Sequence, residues 1–238
     1  MSRDQWKRLA VRQAGLVTRA QLAAVGVDRW VIRRRVASER WVAHTPTVIG
    51  TTTGELTRDQ LMWLGVLHAG GDALVGGLTA AEVAGMRNWH RDDVTILVPH
   101  SCDVGDGFPG VTHVRTRRDL AAMRRPGAGL PVCRLEPAVL LFAAGQSSSR
   151  TAEGALAAAV QQRLTSPERL LEWIDRLRPL RGAAALRRSL EEIAGGAQST
   201  AEIDVRRMCR AAGLARPQRQ VRRRDASGRV RSVGVPAA

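Results

Sequence analysis

Capping residues and glycines punctuate residues 15–50 so closely that only short helices and a tight ribbon fit between them. Trp6, Leu9, Ala10 and Gln13 recur at helical spacing over residues 3–13, and Gly15 then closes that helix. Thr18 is a good N-cap for a helix over Arg19–Val25, in which Leu22 and Val25 lie three apart, and Gly26 ends it. Asp28 caps a third helix that runs to Ala37 or Ser38. Two β-rich runs follow, Trp41-Val42-Ala43 and Val48-Ile49, around a turn near Thr45-Pro46. Helix, turn, helix and then a ribbon is the plan of a winged helix-turn-helix.

The third helix is the expected reader of DNA. Ile32 and Val36 lie four apart and define its core face. On a helical wheel Arg34 points the opposite way with Trp30 near it, and Arg33 and Arg35 flank. Guanidinium forks match phosphate oxygens and guanine edges, so such a helix suits a major groove. Phosphate contacts are expected from Arg29, Arg33, Arg34, Arg35 and Arg40, and base-edge contacts from Trp30 or Arg34. Arg19, His44 and Thr45 complete the expected interface from the second helix and the ribbon. The competing reading is a solvated arginine face on an ordinary helical bundle.

Charge supports the first reading by its distribution. Residues 1–50 carry ten basic and three acidic side chains, and residues 199–238 again ten and three. Residues 51–150 carry ten of each, and residues 151–198 seven basic and six acidic. Two basic ends flanking a neutral middle point to a polyanion, because neutralising phosphates releases counterions. Lys7 is the only lysine, so a compositional bias accounts for arginine over lysine; it accounts less well for the clustering.

The 238 residues suit one or two domains, and a hydrophobic content of 44% is enough for a real core. Two helices are expected within residues 55–90, the first with Leu56, Gln60-Leu61, Leu64 and Leu67-His68 at helical spacing and the second over Leu78–Met86 with Thr79 as a cap. Further helices are expected over 137–144, 151–163, 167–177 and 181–193, with Pro167 at a first helical position. VTILVP (94–99), VTHVR (111–115) and LPVCRL (130–135) are expected to form a small mixed sheet. GGAQS at 195–199 is the linker candidate. GGDALVGG lacks the Lys-Ser/Thr of a phosphate loop and reads as a turn. His90, His100, Cys102 and His113 match no zinc spacing, and no nucleophile motif is present, so no metal and no cofactor is expected. No apolar run is long enough to span a membrane and no signal peptide is visible. The odd, scattered Cys102, Cys133 and Cys209 suit a reducing cytoplasm.

The stretch AGLVTRAQLAAVGVDRWVIRRRVASERWVAHTPTVIG resembles the N-terminal winged helix of AbiEi-type antitoxins, the regulator half of type IV toxin–antitoxin systems. Three later stretches are similar to a large actinobacterial family with this head: LTRDQLMWLGVLHAGGDALVGGLTAAEVAGM, GLPVCRLEPAVLLFAA and LAAAVQQRLTSPERLLEWIDRLRPLRGAAALRRSL. The resemblance implies binding to double-stranded DNA, repression of the protein's own promoter and a cognate toxin as partner. From Ser199 the chain looks like the start of a very-short-patch-repair-type endonuclease of the PD-(D/E)XK fold, with Glu202 in the place of its helix carboxylate. That fold needs further acids on following strands. Here only Asp204, two residues along the same helix, and Asp225, in a turn signature, remain. Glu202 is therefore vestigial at best, and a truncated nuclease-like end without a complete metal site is expected.

The expected protein is α+β and mostly helical. Residues 1–52 form a winged helix-turn-helix, 53–195 an α+β middle domain with a small mixed sheet, and 196–238 a truncated, partly ordered endonuclease-like segment. The leading function is a cytoplasmic, DNA-binding transcriptional regulator, antitoxin-like, with the middle domain carrying dimerisation or toxin contact. Two alternatives stay open: an inactive endonuclease relative, and a protein-interaction module whose arginines are compositional.

Overall fold

The structure, a computed structural model, describes residues 5–105, 107–127, 129–195, 208–209, 211–213, 218–224 and 230–235. It is a mixed α and β protein in which helices outweigh three small sheets.

The N-terminal elements are α1 (Gln5–Arg12), β1 (Leu16–Thr18), α2 (Arg19–Ala24), α3 (Arg29–Ala37), β2 (Val42–Ala43) and β3 (Val48–Gly50). The sequence plan omitted β1. It is too short and too apolar to show alternation, yet it pairs antiparallel with β3, giving a sheet of order β1-β3-β2. Caps set the helix starts. Thr18 and Gln21 form a capping box on α2, with bonds of 3.0 and 2.9 Å. Asp28 accepts from Trp30 N–H at 2.9 Å and starts α3. No glycine stops α3; Glu39 takes the left-handed conformation (φ 55°) and Arg40 N–H closes the last turn on the Arg35 carbonyl. Leu22, Ile32, Trp41 and Ile49 fill the core beneath.

The back of this sheet is not free. Leu16 and Val48 pack on Leu64 of α4 (Arg58–Ala69), with Leu56, Trp63, Leu67 and Phe108 around them. Gln60 Nε2 donates to the Ala14 carbonyl at 3.0 Å across the same seam. An apolar cluster thus spans the expected boundary between residues 52 and 53.

Beyond α4 come β4 (Leu74–Val75), α5 (Gly77–Val83), β5 (Val94–Pro99) and β6 (Val111–Thr116). The sheet order is β4-β5-β6, with β4 antiparallel and β6 parallel to β5, so it is mixed as expected. Three details differ from the sequence plan. GGDALVGG, read as a turn, holds β4, because Leu74 and Val75 pair with Leu97 and Ile96 of β5, and it ends on the first residue of α5. Residues 130–135 contribute only isolated bridges to Val75 and Arg124, not a full strand. Thr79 does not cap α5, which begins at Gly77; it is buried within the helix, and its hydroxyl accepts Thr95 N–H at 3.0 Å, where β4 has already ended. Glycines let the backbone approach the sheet closely. A Cβ on Gly65 would lie 2.6 Å from Ile96 Cγ1, and one on Gly76 2.3 Å from Leu97 Cγ. Strand alternation therefore puts α4 and α5 on opposite faces of β5.

The remaining helices are α6 (Leu120–Met123), α7 (Leu135–Gly145), α8 (Ser149–Gln161), α9 (Pro167–Arg176) and α10 (Ala183–Ala194). α6 was not expected; Asp119 caps it through Ala122 N–H. α7 is almost wholly apolar and is packed by α5, α8 and α9. Its buried Glu136 accepts from Thr165 Oγ1 at 2.9 Å and pairs with Arg169 at 2.8 Å. The Arg118 guanidinium donates to the Leu177 and Pro179 carbonyls, tying the end of β6 to the end of α9. Cys133 is buried, and burial pushes its thiol up to about 12, so it carries no thiolate at neutral pH.

At the C-terminal end, β7 (Gln218–Arg224) and β8 (Val230–Val235) pair antiparallel, with a register shift between Gln218 and Val221. Glu202, Asp204, Asp225 and all but the first residue of the 195–199 linker lie outside the described residues. No helix among the described residues is long and apolar enough to cross a membrane.

Candidate nucleic-acid interface

The outer face of α3 is built from residues 29, 30, 33, 34 and 37, because Ile32 is buried and Val36 half-buried on the inner face. Trp30 is 56% exposed, unusual for so large an apolar side chain. The Arg29 guanidinium lies 5.3 Å and the Arg33 guanidinium 4.7 Å from its ring centre. Two cations held over an indole keep their charge in a fixed place beside an apolar surface. Arg34 is exposed on the same face. Arg40 is exposed just past the end of the helix.

Arg35 differs from its two neighbours. It is half-buried, with its guanidinium 4.7 Å from the Trp41 ring centre and 5.3 Å from that of Trp6. Those two rings meet edge-on at 5.1 Å. Arg35 is thus turned to the α1 side of the unit, away from the Trp30 face. Its role as a clamp between α1, α3 and the strand region was missed in the sequence. The signal was present as two tryptophans flanking a basic helix.

The ribbon is fixed by internal bonds. The Arg19 Nε donates to the Pro46 carbonyl at 2.8 Å, and its backbone N–H to the Thr47 carbonyl at 2.9 Å, so the start of α2 is tied to the ribbon tip. Arg19 stays exposed and keeps its terminal nitrogens available. Thr45 is buried; its hydroxyl accepts from Val48 N–H at 3.0 Å, so it serves the turn and not the outer surface. His44 lies against Gly50, where an added Cβ would meet Nε2 at 2.5 Å. Burial lowers its pKa, so its imidazole is neutral and offers no cation to a phosphate.

Of the nine residues expected at the interface, Arg29, Trp30, Arg33 and Arg34 therefore share one exposed face. Arg19 and Arg40 are exposed at its margins. Arg35, His44 and Thr45 face inward. Among the described residues no group of three His, Cys, Asp or Glu side chains converges on a point that a metal ion would occupy.

Among solved structures, the chain is similar to the RV2827C protein from Mycobacterium tuberculosis, at 19% identity and a TM-score of 0.49; the match covers 83% of this chain and 78% of that one. No protein-family model matches the chain, and no curated protein does.

Proposed function

We propose that this chain is a DNA-binding transcriptional regulator that docks residues 5–50 on duplex DNA as a winged helix-turn-helix. The observation that carries the reading is the Arg29–Trp30–Arg33 arrangement on the exposed face of α3, with Arg34 beside it. The element order and the β1-β3-β2 sheet support it, since α3 then stands as the reading helix and the β2–β3 ribbon as the wing. In this docking α3 enters the major groove. Arg33, Arg34 and Arg40 meet phosphates, and Trp30 meets base edges, where an indole contacts the thymine methyl. Arg19, held on the ribbon tip, meets the flanking backbone. Fixed guanidinium groups lose little side-chain freedom on binding, so less of the gross attraction is spent on ordering. The resemblance to AbiEi-type antitoxins extends the reading to repression of the protein's own promoter, with a toxin as partner.

The test is fluorescence anisotropy with the chain's own upstream DNA and a scrambled duplex over a salt series. Tighter binding to the upstream fragment that survives about 150 mM salt is the expected result, because non-specific binding fades there. Equal, salt-fragile binding to both duplexes would overturn the regulator reading.

A further inference from the structure

The two edges of the β4-β5-β6 sheet are treated differently. On the β4 side residues 131–133 close the edge: Val75 N–H donates to the Pro131 carbonyl and Cys133 N–H to the Val75 carbonyl, each at 2.8 Å. On the β6 side no described residue pairs with the strand. Hydrogen bonding shows which backbone groups that edge presents. Val94 N–H donates to the Gly110 carbonyl, and His100 N–H to the Thr116 carbonyl. The two-residue period of the ladder then turns the backbone groups of 112 and 114 toward β5, and those of His113 and Arg115 outward.

Long open edges invite pairing and are commonly blunted by proline or a bulge. β6 has no proline, and its register with β5 is unbroken from Val111 to Thr116. Val114, at its middle, is 41% exposed, with exposed Thr112 on the same side of the sheet.

We propose that β6 pairs with β6 of a second copy of this chain, antiparallel, about a two-fold axis through Val114. In that register Val114 faces the partner's Val114 as a non-hydrogen-bonded pair, where side chains come closest. His113 stands opposite the partner's Arg115, and the outward N–H and C=O groups of both exchange bonds on each side of the axis. Charge follows the same symmetry. Asp92 and Asp93 lie at the end of the sheet where β6 begins, and Asp93 Oδ2 accepts from the Thr112 hydroxyl at 3.0 Å. Arg115 and Arg117 lie exposed at the other end. Antiparallel pairing sets the acidic end of one copy beside the basic end of the other. Parallel pairing sets like charges together. The product is one continuous six-stranded sheet, since each copy contributes three strands. The inference stands apart from the DNA reading and uses none of its residues.

The test uses the full-length chain. Sedimentation over a concentration series is expected to give twice the single-chain mass of 25.8 kDa. Val114→Cys, mildly oxidised, is expected to form a covalent dimer, because a non-hydrogen-bonded pair brings Cα atoms to about 4.5 Å, within disulfide reach. Wild-type chain and Val11→Cys, exposed on α1, control for Cys102, Cys133, Cys209 and random collision. Val114→Arg places two guanidinium groups on the axis and is expected to weaken self-association about tenfold or more. A single-chain mass at about 100 µM overturns the proposal, since a useful dimer is tighter than that. So does a dimer that Val114→Cys does not cross-link above the controls. If Val114→Arg does not fold, the cross-link decides.

Discussion

The guanidinium of Arg35 lies 4.7 Å from the centre of the Trp41 ring, while the same group of Arg33, two residues earlier, lies 4.7 Å from Trp30 on the opposite side of α3. One arginine run thus serves two surfaces. Trp41 is buried and Trp30 is exposed, so the first contact is expected to hold the fold and the second to stand ready for a ligand. A partly desolvated cation–π contact is worth about 1–2 kcal/mol. Arg35→Ala is therefore expected to lower the Tm by several degrees, with Arg35→Lys intermediate because lysine lacks the planar face. Thermal unfolding followed by circular dichroism checks this; a Tm equal to wild type would show the contact to be idle.

The outer face is expected to behave in the reverse way. Trp30→Ala removes an exposed ring, so stability should hold within about 0.5 kcal/mol. Affinity for the upstream duplex should fall about tenfold or more, with a smaller loss on scrambled DNA. Arg33→Ala together with Arg34→Ala should weaken both duplexes similarly and reduce the salt slope by about 2, one for each lost phosphate contact. Anisotropy titrations at three or more salt concentrations separate the two patterns. A slope that stays put would remove α3 from the interface.

The parts legible in the sequence were those governed by local chemistry. Thr18, Asp28 and Pro167 announced helix starts, and the spacing of Ile32 and Val36 gave the inner face of α3. What escaped was decided by distant partners. β1 exists because Leu16–Thr18 finds β3 thirty or more residues later. Thr79 looked like a cap because hydroxyls usually serve the nearest backbone; here its partner is Thr95 on strand β5. Arg35 and Arg33 have the same chemistry, and only the positions of Trp6, Trp30 and Trp41 tell them apart. His44 read as an interface residue on the ribbon; it lies against Gly50, and burial keeps it neutral and turned inward.

Gly65 tests how closely α4 lies on the sheet. Alanine is the better helix former by about 1 kcal/mol, so on propensity alone Gly65→Ala should stabilise. Its Cβ would sit 2.6 Å from Ile96 Cγ1 and 3.0 Å from Val111 Cγ1, both in packed surroundings. Overpacking of that kind costs about 1–3 kcal/mol, so packing is expected to win and the variant to be destabilised. Urea unfolding measures the sign. A stabilised variant would mean that α4 can lift from β5 without loss.

His113 gives the sheet and α4 a pH dependence. On β6 it faces α4, with its ring centre 6.0 Å from that of His68 and 5.9 Å from that of Phe108. Burial lowers its pKa most; a hydrogen bond to the Gly65 carbonyl raises it somewhat, and nearby His68 lowers it further. In the unfolded chain the imidazole titrates near its ordinary value of 6.5. Below that pH the unfolded state takes up a proton that the folded site resists, so the unfolded state gains. The His113 contribution is therefore complete above pH 6.5 and is lost as pH falls toward the lower folded value, where the loss levels off. His44, lowered by burial, acts in the same direction. The Tm is expected to fall between about pH 7 and pH 5.5, before most carboxylates titrate. His113→Gln keeps a donor for Gly65 but cannot take up a proton, and should flatten that slope in part. His44→Gln in addition should flatten it further. A slope unchanged in the double variant would place the dependence elsewhere in the fold.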